Sequence, residues 1–86
     1  MEFEYDPEKS NTNKEKHGLD FEEAQALWFD PDNVGFVAKS DDEHRFAIIG
    51  GLKKKLWVGF YTLRENRIRI ISVRRARPNE RKLYES

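Results

Sequence analysis

The sequence predicts an α+β domain whose helices pack on an antiparallel sheet. Three observations predict it. Up to Asn33 the chain carries helix caps and helix stops, from there to about residue 74 its apolar pattern changes to period two, and Pro78 opens one last short helix. The expected architecture is two N-terminal helices, an antiparallel sheet of about four to five strands and a short C-terminal helix, in a single domain spanning 1–86.

Each element has its own local reason. Phe3 and Tyr5 alternate with Glu2, Glu4 and Asp6, which reads as a short half-buried strand. Asp6 and Pro7 then read as N-cap and first helical residue, and Gly18 is placed to end that helix in a left-handed turn after about His17. The body of this helix is almost wholly polar, so its caps define it better than any apolar stripe. In the second helix Asp20 and Glu23 have capping-box spacing, and Leu19 and Ala24 stand where a hydrophobic staple would. Phe21, Ala24, Leu27 and Trp28 share one side, and Asp30 with Pro31 stops the helix. Strands follow at about 34–38, 44–50, 55–63 and 67–74, joined by a loop at 39–43, a turn at 51–55 and a hairpin turn at 63–66. Such short connections favour an antiparallel meander. Pro78 opens the final helix, which reaches about Glu85.

Composition narrows the function classes. A chain of 86 residues buries only roughly 60–65% of the surface its unfolded form exposes, so stability is modest and a tight partner adds to it. Six Phe, three Tyr and two Trp suffice to seed a core in an otherwise very polar chain. There is no cysteine, and the two histidines stand 27 residues apart without ligand spacing, so neither disulfide, metal site nor cofactor is expected. No apolar run approaches a membrane span and the acidic start lacks a signal peptide's pattern, which points to a cytoplasmic protein without membrane contact. Charge is sharply divided: residues 1–33 hold ten Asp/Glu against three Lys, or −7, while residues 34–86 hold six against thirteen Lys/Arg, or +7. The zero net charge is therefore a cancellation, as expected for a face that meets nucleic acid or an acidic partner, or for acidic helices lying on a basic sheet.

The candidate chemistry is concentrated in the last twenty residues. Strict alternation along 67–75 sorts Ile68, Ile70, Ser72 and Arg74 to one face and Arg67, Arg69, Ile71, Val73 and Arg75 to the other. Arg74 and Arg75 then emerge at the strand's C-terminal margin, where they and Arg69 are candidates for phosphate, while Arg67 reads as a surface ion-pairing residue. In the last helix Glu80 and Tyr84 share a face, as do Arg77 and Arg81 one position round. A glutamate there could position an arginine or act as a base, and the tyrosine could pack under the sheet or donate a proton. Lys16 and His17 end the first helix, where the macrodipole favours positive side chains. Lys53, Lys54 and Lys55 form a solvated turn, or an auxiliary backbone contact. Trp57 and Tyr61 point to one face, as core aromatics or as stacking platforms for a base. No Gly-rich phosphate loop, serine triad or metal-binding carboxylate cluster is present.

Taken in order, these residues resemble the BrnT family of bacterial toxins. The likeness runs from Phe3, Tyr5, Asp6 and Pro7 through Asn13, Lys16, His17, Gly18, Phe21, Ala24, Asp30 and Pro31. It continues with Arg45, Phe46, Gly50, Tyr61, Thr62, Arg64 and residues 68–76, and closes on Glu80, Arg81 and Tyr84. Val73 and the three lysines at 53–55 depart from the family's usual pattern. The resemblance implies a RelE-like fold and a ribonuclease toxin of a type II toxin–antitoxin pair that inhibits growth. Its implied partner is a BrnA-like ribbon-helix-helix antitoxin, operator DNA being met only through the toxin–antitoxin complex.

Without a metal, RNA cleavage would use the ribose 2′-hydroxyl as internal nucleophile, with guanidiniums stabilising charge on the phosphorane. Arg74 and Arg75 are then expected at the scissile phosphate. Lys16, Arg69, Arg64, Arg81 and Tyr61 are expected along the RNA, and His17, Glu80 and Tyr84 are candidates for proton transfer. Histidine is the residue type whose side chain titrates near ~6.5 in water, suited to acid or base work at neutral pH. The alternative is a non-catalytic module that binds nucleic acid or an acidic protein. Activity on RNA in chelator separates the two.

Overall fold

The fold is described from a computed structural model, which defines residues 1–38 and 44–86. Among the described residues are five strands in one sheet and three α-helices. They run β1 (Glu2–Glu4), α1 (Pro7–His17), α2 (Phe21–Ala24), β2 (Val34–Ala38), β3 (Arg45–Leu52), β4 (Lys55–Arg64), β5 (Arg67–Arg75) and α3 (Pro78–Glu85). The expected loop at 39–43 lies outside the described residues. No helix of the described chain is long and apolar enough to cross a membrane.

Strands β2 to β5 form the expected antiparallel meander, and β1 adds to its far edge in parallel with β5, giving the order β1-β5-β4-β3-β2. The parallel pair needs no hairpin, because α1, α2 and three strands intervene between the two partners. The hairpin strands are longer than their hydrophobic pattern showed. β3 reaches Leu52 and β4 starts at Lys55, so the turn is only Lys53 and Lys54, both left-handed with φ of 54° and 63°. The next turn is likewise Glu65 and Asn66, at 46° and 68°. Two-residue turns of this hand match the twist of the flanking strands, even without glycine.

α1 begins and ends as its caps require. The Asp6 carboxylate accepts from the Glu8 N–H, Pro7 fills the first turn, and Gly18 closes it at φ 87°. Its buried face is polar: Ser10 and Asn13. Ser10 Oγ accepts from the Phe21 N–H at 2.9 Å. The Asn13 side chain donates to the Leu19 carbonyl at 2.8 Å and accepts from the Val73 N–H at 3.1 Å. Hydrogen bonds rather than an apolar stripe therefore seat this helix.

The second helix keeps its capping box, with Asp20 accepting from Glu23 N–H at 2.7 Å and Glu23 from Asp20 N–H at 3.1 Å, but it is one α-turn that tightens into a 3-10 segment, Gln25–Phe29. The tightening fits the close approach to β3. A Cβ on Gly50 would stand 3.0 Å from the Leu27 carbonyl oxygen, so only glycine lets the two backbones meet. Asn33 then donates to the Leu27 and Trp28 carbonyls at the helix end, the first of which also accepts from the Asp30 N–H. Glu23 also binds Lys14 of α1 at 2.6 Å and Lys53 of the hairpin turn at 2.7 Å. These two ammoniums and the Asp20 N–H hold its carboxyl down at about 2.

The sheet buries both faces unequally. Leu19, Phe21, Ala24, Leu27 and Trp28 cover Ile48, Trp57, Ile68, Ile70 and Val73 on one side, with Trp28 edge-on to Phe3 and Tyr61. On the other side Ala47, Ile49 and Val58 sit under Phe36, Phe60, Ala76 and Tyr84, where α3 covers only part of the sheet.

Asn13 is the test of this arrangement. Asn13→Ala leaves the Val73 N–H and the Leu19 carbonyl buried without partners, and should cost roughly 2–5 kcal/mol of unfolding free energy. Denaturant titration measures it. A loss below about 1 kcal/mol would mean that water replaces the carboxamide.

Candidate functional site

The site is set by an irregularity in β5. Pairing with β4 runs evenly from Arg67 opposite Arg64 to Ile70 opposite Tyr61, then resumes with Ser72 opposite Phe60, so Ile71 is an extra residue. This bulge overturns the expected strict alternation. Ile68, Ile70, Val73 and Arg75 face the N-terminal helices, while Arg67, Arg69, Ser72 and Arg74 share the face that α3 partly covers. Arg69 and Arg74, expected on opposite faces, come to the same one. Arg74 and Arg75, expected to act side by side, are parted: Arg74 lies over the Phe60 ring at 5.2 Å and Arg75 over Trp57, on the other face, at 5.6 Å.

Arg74 is held from several sides. Its Nη1 and Nη2 donate to the two carboxylate oxygens of Glu80, both at 2.8 Å, and Nη1 also donates to the Arg75 carbonyl at 3.1 Å. Glu80 is only 6% exposed and accepts a further bond from the Arg77 N–H at 2.8 Å. The Arg74 bond holds the Glu80 carboxyl below its usual range against the opposing effect of burial, and the Arg77 N–H helps. Glu80 is therefore placed as the group that orients Arg74. A carboxylate so engaged is a weak base.

Arg69, half-buried on the same face, donates to Glu4 at 2.8 Å, and the more exposed Arg67 meets Glu2 at 3.4 Å. Lys16 and His17 reach this region along the open edge of β5. With Lys9, Thr12, Ile71 and Ser72 they line a groove of about 250 Å³, and Ser72 joins that groove to the Arg69 and Arg74 face.

The remaining expected residues lie elsewhere. Arg75 and Arg81 line a separate groove with Lys53, Lys54 and Lys55. Arg64 is at the opposite end of the sheet, near His44 and Phe46. Tyr61 packs edge-on to Trp28 and against Phe46 on the face of the N-terminal helices, where burial raises its hydroxyl pKa. Tyr84 donates to Asp30 at 2.7 Å; that bond, then burial, pushes the phenol up to about 12. Asp30 accepts from the Gly51 and Asp32 N–H groups as well. These bonds outweigh the upward push of burial and keep its carboxyl below the usual range. Tyr84 is thus a clasp between α3, the 3-10 segment and β3.

Three residues of this region were given no role in the site by the sequence. Ser72 joins the site only because of the bulge, which no local motif announces. Arg45, half-buried, shares the α3 face through its pairing with Ala38 and the alternation to Ala47, and a lone arginine opening a strand gives no signal of that. Asp30 reads as a helix stop, and its three-way bonding is wholly tertiary.

The Arg74–Glu80 pair makes stability depend on pH. Because the folded Glu80 carboxyl is depressed, its contribution is complete above the ordinary 4.5 and is lost as pH falls through the folded value. Glu80→Gln should therefore melt below the wild type at neutral pH, with a gap that closes toward acid. Thermal melts from about pH 7 to about pH 3 measure it, and a gap independent of pH would show that charge does not hold the pair.

A family model described as the ribonuclease toxin, BrnT, of type II toxin–antitoxin systems matches residues 5–80. The chain belongs to that family. No curated protein matches it.

Proposed function

We propose that this BrnT-family chain is a metal-independent endoribonuclease whose centre is Arg74, flanked by Arg69, Ser72, Lys16 and His17. The observation that carries the reading is the way Arg74 is bound. A guanidinium has five N–H groups, and Glu80 and the Arg75 carbonyl engage three of them along its Nη1 side. The Nε–H and the second Nη2–H remain, parallel along one edge, which is the bidentate geometry that suits two oxygens of a phosphate. Phe60 and Glu80 fix that edge before any substrate arrives, as electrostatic catalysis requires.

In the proposed reaction the ribose 2′-oxygen attacks phosphorus in line and loses its proton to a base, and the P–O5′ bond breaks as O5′ gains a proton. A 2′,3′-cyclic phosphate and a 5′-hydroxyl result. Arg74 takes the charge on the phosphorane, Lys16 and Arg69 add positive potential, and His17 carries a proton. Metal independence is supported by the absence of cysteine and by the fact that no three His, Asp or Glu side chains converge among the described residues. The protein would act in the cytoplasm as a growth inhibitor. A BrnA-like ribbon-helix-helix antitoxin would neutralise it by covering this face, and operator DNA would be met only in that complex.

Purified protein freed of antitoxin should cut single-stranded RNA in excess EDTA and leave a 2′-deoxy oligonucleotide intact. Cutting that stops in chelator and returns with a divalent ion would overturn the mechanism. Binding without cutting would make the chain a nucleic-acid-binding module. Arg74→Lys keeps a charge but loses the fork, and should slow cutting by roughly 10²-fold or more, whereas Arg67→Ala should be near wild type. Equal rates for folded Arg74→Lys and wild type would remove Arg74 from the centre.

A further inference from the structure

A second concentration of positive charge lies at the hairpin end of the sheet, apart from Arg74. The groove there, about 430 Å³ in volume, runs between the β3–β4 turn, the C-terminal end of β5 and α3. Lys53, Lys54, Lys55, Arg75 and Arg81 line it, and no carboxylate does. Lys53 is engaged by Glu23 at 2.7 Å. Among the described residues the other four have no ion-pair partner. Arg75 is steadied over Trp57 at 5.6 Å, which fixes its direction without neutralising it.

Several features mark this as more than a solvated charge run. Its cations come from three separate elements and converge on one concavity. Lysine occupies both left-handed positions of the turn, where glycine or asparagine would be unstrained, so charge stands there against conformational preference. Ammonium point charges suit a run of phosphates and read no sequence. Arg74 and Arg75 are neighbours in the chain on opposite faces of one strand end, so a strand gripped at Arg74 need only cross that end to enter the groove.

We propose that this groove anchors the sugar-phosphate backbone of the RNA beside the point of cleavage, independently of sequence. The inference rests on the ribonuclease reading, and its test does not depend on cutting. The probe is a 2′-O-methyl RNA oligonucleotide, which can be bound but not cut, titrated by fluorescence anisotropy over a range of salt. The variant combines Lys54→Gly, Lys55→Gln and Arg81→Gln, the glycine being at ease at φ 63°. It should melt like the wild type yet bind about tenfold or more weakly, and its plot of log K against log salt should be shallower by about 2, from three lost contacts at ~0.7 each. Arg67→Ala, a charge removed elsewhere, should match the wild type in both. Wild-type affinity and slope in the folded triple variant would overturn the proposal. So would unchanged RNA affinity with lost binding of the antitoxin, which would assign the groove to an acidic protein segment. If wild type binds the oligonucleotide through the groove but never cuts unmodified RNA, the ribonuclease reading fails and the groove stands.

Discussion

The carboxamide of Asn13 is the constraint on which the rest of the structure depends. β1 pairs only with residues 67–69, so beyond Arg69 the outer edge of β5 has no strand beside it. Asn13 takes the Val73 N–H on that edge and gives its own amide to the Leu19 carbonyl, so one side chain joins the edge of the sheet, α1 and the approach to α2. Ser10, one turn earlier, receives the Phe21 N–H and fixes where α2 begins. A buried amide satisfied on both sides specifies one orientation, whereas an apolar stripe would permit α1 to slide. Lys16 and His17 stand beside Ser72 because α1 is pinned in this way.

The bulge at Ile71 does comparable work for the strand. An extra residue in a sheet reverses the facing of everything after it. Here it turns Val73 into the core and brings Ser72 and Arg74 to the face that already holds Arg69. Arg75 alone is turned to the face of the N-terminal helices, while Arg67, Arg69 and Arg74 share the other.

Much of this was legible in the residues, because the signals were local. Asp6, Pro7 and Gly18 bound α1, Asp20 and Glu23 form their box, Pro78 opens α3, and period two marks the four strands of the meander. What was not legible depends on partners distant in the chain. The parallel placement of β1 is fixed by residues 67–69, and the bulge leaves no turn residue or glycine to betray it. Glu80 and Tyr84 share a helical face, as their spacing required, but spacing could not say that one would bind Arg74 and the other Asp30. The family resemblance was readable for a different reason: it rests on the order of many residues, none of which is decisive alone.

The bonds that hold β5 come from both ends of the chain. Glu2 meets Arg67 across 65 residues, Val73 meets Asn13 across 60, and α3 is clasped to Asp30 across 54. Closing loops of that length costs entropy before any contact rewards it, so such pairings form late while local hairpins form early. The β3–β4 and β4–β5 hairpins can thus zip together first, yielding a sheet in which Arg74 already lies over Phe60 and Arg75 over Trp57 while Arg67 and Arg69 still lack their partners. Arg74 then finds Glu80 only six residues on, whereas Arg69 gains its direction only when the N-terminal strand docks and brings Glu4, so the two halves of the grip are acquired at different times.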